Sequence, residues 1–131
     1  KTRFDFADVA SVVFLLPFRI AQAVYAGEEY WRSGVRGYVG YYESKPVSVV
    51  TTVPGAGAVG VYSLGTLPQH QRCGYGETLL RFALADTARA TGVQRTVLQS
   101  TQSGLRLYQR MGYKTVTRFR IYDCSRCELA A

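Results

Sequence analysis

The stretch Leu64, Gly65, Thr66, Leu67, Pro68, Gln69, His70, Gln71, Arg72, Cys73, Gly74, Tyr75, Gly76, Glu77 holds the residues best suited to handling an anion. It reads as a strand that ends at Pro68, a short loop, and a helix that opens on two glycines one residue apart. The first turn of any helix presents backbone N–H groups with no internal partner, and the helix dipole adds partial positive charge there. Without side chains at Gly74 and Gly76, a bulky anion can come close to those donors. Arg72 adds a full positive charge beside them. Gln71, Arg72, Cys73, Gly74, Tyr75, Gly76 and Glu77 are therefore a candidate phosphate cradle.

Two common cradles do not fit the spacing. A Walker-type loop needs Gly-Lys-Ser/Thr at its end to manage the terminal phosphate and magnesium, whereas Gly76 is followed by Glu77 and Thr78. A dinucleotide fingerprint needs three glycines and an acid about 20 residues on, and the region from Thr96 to Ser100 contains no acid. What remains is Gln-x-x-Gly-x-Gly, from Gln71 to Gly76, preceded by Thr66-Leu67-Pro68. This run resembles the acetyl-coenzyme A signature of the GNAT superfamily of N-acetyltransferases. A second segment, from Val97 to Tyr113, resembles that family's closing motif: a strand, then a helix carrying Leu-Tyr-x-x-x-Gly-aromatic. Leu107, Tyr108, Met111, Gly112 and Tyr113 fit it, with Tyr113 where phenylalanine is commoner. The bland reading of the first motif is a glycine-rich helix start that only needs close packing. The two motifs stand in the family's order and separation, and the resemblance covers roughly residues 38–122.

The resemblance implies an α/β GNAT fold: a mixed, mostly antiparallel, splayed sheet flanked by helices, as a single domain over residues 1–131. It implies that the sheet parts between the strand ending at Leu67 and the strand from Gln94. The pantetheine arm of coenzyme A would then pair with Leu64, Gly65 and Thr66 like an added strand. Thr101 stands where the family often has an asparagine touching the cofactor. Tyr108 stands where the family's tyrosine points at the sulfur, which makes it the expected general acid; an aromatic packed on the helix's apolar face is the competing reading. No general base is evident, since residues 58–67 contain neither an acid nor a histidine. Glu43, one strand earlier, is a candidate base whose competing reading is the start of a turn; His70 is too near the expected pyrophosphate, and water-relayed deprotonation with Tyr62 as a relay is favoured. Cys73 has no base beside it, so direct transfer is expected rather than an acyl-enzyme.

These readings converge on transfer of the acetyl group of acetyl-CoA to a primary amine of a small molecule or peptide, with no metal. A non-catalytic acyl-CoA-binding or regulatory module is the alternative, because no base is visible. A basic nucleic-acid-binding domain ranks third. The chain of 131 residues, 47% hydrophobic, suffices for one domain. Its net charge of +7 is scattered, with only Lys45 and Lys114 besides Lys1 and no basic run. Such charge serves a phosphate-rich cofactor as well as it would serve nucleic acid.

The apolar run over residues 9–16 is too short to span a membrane and ends at Pro17. Asp5 and Asp8 argue against a signal peptide, so a cytoplasmic location is expected. Cys124 and Cys127 form a lone Cys-x-x-Cys, and His70 is the only histidine, so neither a zinc cage nor a disulfide framework is expected.

To position the cradle, two short helices around Pro17 should be followed by strands over residues 37–43, 47–53 and 58–67. A helix should run from Gly74 to a cap at Gly92, then a strand over residues 94–100, a helix to Met111, and a last strand over residues 114–123. No first edge strand is visible before Phe6 and little after Asp123 resembles a final one. The chain also starts without methionine, as a fragment, a processed form or the end of a longer protein would. A covering segment or a homodimer partner is expected at the exposed sheet edge.

Overall fold

The computed structural model describes residues 1–124 and divides into two units, residues 1–99 and the part from residue 100 onward. In the first unit, α1 (Thr2–Val13) and the short α2 (Phe18–Ala21) lead through a π-helical turn, Gln22–Ala26, and a 3-10 turn, Glu29–Trp31. Then come β1 (Arg36–Tyr42), β2 (Lys45–Gly55), β3 (Ala58–Thr66), a 3-10 turn at Pro68–His70, α3 (Tyr75–Thr91) and β4 (Thr96–Leu98). The second unit holds α4 (Leu105–Arg110).

The sheet has the order β1-β2-β3-β4; the first two pairings are antiparallel and β3–β4 is parallel. It is thus a mixed, mostly antiparallel α/β sheet, open and flanked by helices. Tight two-residue hairpins at Glu43-Ser44 and Ala56-Gly57, all four residues at positive φ, set the meander. From Val47 to Thr52 every residue of β2 is buried, so this central strand is covered on both faces.

One cover is α1, whose Phe6, Val9 and Ala10 pack with Val49 of β2, ringed by Val13, Phe14, Tyr25, Trp31, Val39 and Leu67. The helix stops at Val13 because Leu15 takes a positive φ and Pro17 cannot continue it. The other cover is α3, which buries Leu79, Leu80, Ala83 and Thr87 at helical spacing. A chain of polar contacts pins α3 to the sheet. Arg36 Nη2 donates to Asp86 Oδ2 at 2.8 Å, Tyr38 Oη donates to the same oxygen at 3.0 Å, and Thr52 and Thr87 share a hydroxyl bond of 2.8 Å.

The hydrogen bonds from Arg36 and Tyr38 hold the Asp86 carboxyl below the ordinary carboxylate range. A depressed folded value means stability that is present above the unfolded value, about 3.9, and lost as pH falls through the folded one. Asp86→Asn is therefore expected to melt below the parent protein at neutral pH, with the gap closing in acid. Thermal melts at both pH values check this; an equal gap at both would assign the loss to packing instead.

Two expectations change. Residues 114–123 form no strand: Val116, Phe119, Ile121 and Tyr122 are exposed and carry no ladder. Alternation of apolar residues makes a strand only where a neighbour supplies the hydrogen bonds. The strand expected over residues 94–100 is confined to Thr96–Leu98, opposite Val59–Val61. Of the cysteines, Cys73 is free and exposed, Cys124 is disulfide-bonded rather than an incidental thiol, and Cys127 lies outside the described residues. No helix among the described residues is long and apolar enough to cross a membrane.

Candidate active site

The cradle forms at the end of β3 because three local devices coincide. Pro68 opens a single 3-10 turn, with the His70 N–H bonded to Leu67 O at 2.9 Å. Gln71 Nε2 then reaches back to Thr66 O at 3.1 Å, tying the loop to the strand end. Arg72 at φ 60° and Gly74 at φ 83° turn the backbone through the left-handed region, and α3 starts on Gly74. No side chain caps the helix. Glu77 sits in the first turn, but its carboxylate is held by Arg81 one turn along, at 2.8 and 3.1 Å. The helix therefore presents its first backbone N–H groups and its dipole to the loop, the arrangement that binds phosphate.

Gly74 and Gly76 differ. A Cβ on Gly74 would meet nothing within 4 Å, so the space above it is open. A Cβ on Gly76 would lie 3.0 Å from Thr66 Oγ1. Gly76 thus also lets α3 close against the end of β3. Gly65 also has a packing role, since its missing side chain makes room for Val13 at the end of α1 and for Phe14 just after it.

Beside the cradle, β3 runs on past its ladder with β4. Pairing ends at Val61 and Leu98, while β3 continues to Thr66. This leaves Leu64, Gly65 and Thr66 without a β4 partner, because β4 itself ends at Leu98. The register with β2 slips here too: Val49 faces Gly65, but Thr51 faces Tyr62. Ser63 and Leu64 therefore stand opposite Val50 alone, and Ser63 adopts φ 54°. This β-bulge twists the strand next to the cradle. The sequence carries no sign of it, because the left-handed position holds serine rather than glycine.

Tyr30 is a second residue the sequence does not single out. Burial and neighbouring Tyr25 raise its phenol, while hydrogen bonds to Thr51 and to Ser63 of the bulge pull it the other way. Of the residues weighed as bases or relays, Glu43 stands in the hairpin turn between β1 and β2 at positive φ, with its carboxylate acting electrostatically on Tyr75. His70 packs in a ring cluster with Tyr42 and Tyr75, at centroid distances of 5.9 Å to each. Tyr62 is 55% exposed, with its ring over Gly60.

In the second unit, the Thr101 hydroxyl accepts the Gly104 N–H at 3.3 Å and shares a bond of 3.0 Å with Ser103. It thus helps start α4. Tyr108 is half-buried, edge-on to Tyr113 with ring centroids 5.9 Å apart. Burial, and then the neighbouring Tyr113, push its phenol above the ordinary tyrosine value. No group of three metal-ligating side chains stands together among the described residues.

The sequence model of the acetyltransferase (GNAT) domain matches residues 22–115, which include both motifs. The chain belongs to the GNAT acetyltransferase family. The GNAT domain matches no curated protein by sequence. Solved structures share its fold. An aminoglycoside N-acetyltransferase, AAC(6')-Iy, solved in complex with coenzyme A, has a TM-score of 0.74 at 12% identity, with 96% of this chain and 90% of that chain covered. An acetyltransferase of Trypanosoma brucei gives 0.69 at 15% identity, covering 93% and 92%. A ribosomal-protein-alanine N-acetyltransferase of Brucella melitensis gives 0.68 at 16%, covering 92% and 91%.

Proposed function

We propose that residues 1–131 act as one GNAT domain that transfers the acetyl group of acetyl-CoA directly to a primary amine of a small molecule or a peptide. The observation that supports this best is the uncapped start of α3 on left-handed Gly74, beside a stretch of β3 with no β4 partner. Backbone donors between Arg72 and Glu77 fit a pyrophosphate, and Leu64, Gly65 and Thr66 fit an extended amide-bearing arm. The amine nitrogen attacks the thioester carbonyl while a backbone N–H near Thr66 meets the developing oxyanion. The C–S bond breaks, and Tyr108 gives its proton to the departing thiolate. The amine's proton leaves through water, with Tyr62 as a relay, and Thr101 adds a polar contact to the cofactor.

Amines of both kinds, an aminoglycoside and a ribosomal-protein alanine, are named for proteins sharing the fold. Thiol release from acetyl-CoA, measured against aminoglycosides, polyamines, amino acids and peptide N-termini, tests the reading. Release with at least one amine is expected. Coenzyme A binding without release from any of them would favour a non-catalytic acyl-CoA module, and absence of coenzyme A binding would end the proposal.

Arg72→Ala is expected to weaken coenzyme A by about 1–2 kcal/mol, as for one charge-assisted contact. Isothermal calorimetry at low and high salt checks this. An affinity unchanged at low salt would remove Arg72 from the cradle.

A further inference from the structure

Ser63 holds a backbone conformation that a glycine would take without strain. Among the described residues, the other non-glycine positions with positive φ are Leu15, Glu43, Ser44, Ala56 and Arg72, all in turns or loops between elements. Ser63, at φ 54°, lies inside β3. A left-handed bulge position is normally taken by glycine, and a residue with a side chain is strained there by about 1–2 kcal/mol. Strain that glycine would relieve points to a use for the side chain.

The serine hydroxyl is tied to a residue from outside the sheet. The Tyr30 phenol is hydrogen-bonded to Ser63 and to Thr51 of β2. Tyr30 is itself held edge-on to Tyr25 and Trp31, with ring centroids 5.1 and 4.8 Å away. Thr51 is fully buried, and its Oγ1 donates to Tyr62 O at 3.1 Å. Each hydroxyl has one proton to give, so the directions follow. Thr51 uses its proton on the carbonyl and accepts from Tyr30, and Tyr30 accepts from Ser63. Burial, and then neighbouring Tyr25, raise the Tyr30 phenol, so it stays a donor throughout the neutral range. The Ser63 oxygen is the open end of this chain, half-buried and with lone pairs to offer. It stands two residues past Val61, where pairing with β4 ends, and directly before Leu64.

We propose that Ser63 Oγ accepts a hydrogen bond from the nitrogen of the attacking amine, with Tyr30 as the positioning residue that holds the serine proton and so aims the oxygen. This rests on the acetyl-transfer reading, in which the adjoining Leu64, Gly65 and Thr66 hold the cofactor arm. The bond engages one N–H and leaves the nitrogen lone pair free for the thioester carbonyl, an orienting effect. The chain does not remove the amine's proton, because it ends on the Tyr62 carbonyl, which is no base. Deprotonation stays with water.

The test measures thiol release from acetyl-CoA with kanamycin, spermidine, free glycine and an alanyl tripeptide, for the whole chain and for Ser63→Gly, Tyr30→Phe and the double variant. Ser63→Gly removes the hydroxyl and relieves the backbone, so its melting temperature should equal or exceed that of the parent protein. Its kcat/KM for the best of these amines should nevertheless fall roughly three- to tenfold, the weight of one hydrogen bond, with coenzyme A affinity within twofold of the parent. A serine with a structural role alone would move stability and leave kcat/KM for the amine unchanged. Tyr30→Phe should lower kcat/KM about two- to fivefold in the parent and have no effect in the Ser63→Gly background, because it acts through Ser63. The proposal is overturned if Ser63→Gly keeps the parent's kcat/KM, or if Tyr30→Phe has the same effect in both backgrounds. Absence of release by the parent with all of these amines would end the acetyl-transfer reading and this proposal together; release by the parent with Ser63→Gly unaffected would end this proposal alone.

Discussion

Tyr108→Phe is expected to lower acetyl transfer by roughly a hundredfold, the ordinary range for loss of a general acid, while coenzyme A binds as before. Phenylalanine keeps the ring and its edge contact with Tyr113, 5.9 Å between centroids, and removes only the proton. A thiolate is already a tolerable leaving group, so the loss falls at the lower end of the general-acid range. The raised phenol value has a direct consequence for pH. A general acid works in its protonated form, and burial keeps Tyr108 protonated throughout the neutral range. The limb that Tyr108 contributes should therefore appear at alkaline pH, above the ordinary tyrosine value of about 10, apart from the acid limb set by the amine's own proton, and Tyr108→Phe should lack it. Steady-state rates across pH on an identified amine, with coenzyme A calorimetry alongside, decide it. Full turnover in Tyr108→Phe, with unfolding of Tyr108→Ala, would make Tyr108 a packing residue.

Where one residue type has one physical job, the sequence was readable. Gly92 ends α3 at φ 72°, its N–H on Ala88 O at 2.8 Å, as a glycine after an amphipathic run predicts. Gly74 starts the same helix in the same left-handed region. Pro68 and Gln71 mark the loop that leads into this helix, and the first of the two family motifs rests on these residues. Legibility fails where conformation depends on partners distant in the chain. Ser63 holds a left-handed bulge position that serine does not announce. The missing side chain of Gly65 resembles a cofactor approach, yet it is filled by Val13 and Phe14, residues about fifty positions earlier. Residues 114–123 alternate like a strand, but alternation says which faces differ, not whether a neighbouring strand exists.

The two left-handed glycines of α3 give the strongest test of the cradle. Gly74→Val and Gly92→Val place the same side chain at φ 83° and φ 72°, each with nothing within 4 Å of its Cβ. The backbone strain should match, about 1–2 kcal/mol for a non-glycine residue forced left-handed, so both variants should lose a similar few degrees of melting temperature. Their sites differ in function. Gly92 closes the C-terminal end of α3, whereas Gly74 stands over its uncapped first turn, where the proposed pyrophosphate must approach the backbone. Gly74→Val should therefore weaken coenzyme A at least tenfold, by at least about 1.4 kcal/mol, while Gly92→Val leaves the affinity within twofold of the parent protein. Gly76→Val is a poorer test, because its Cβ presses on Thr66 Oγ1 at 3.0 Å and disturbs β3 itself. Calorimetry with coenzyme A beside thermal melts separates the two effects. Equal melting losses with no difference in affinity would show that the open space above Gly74 is not where the phosphates sit.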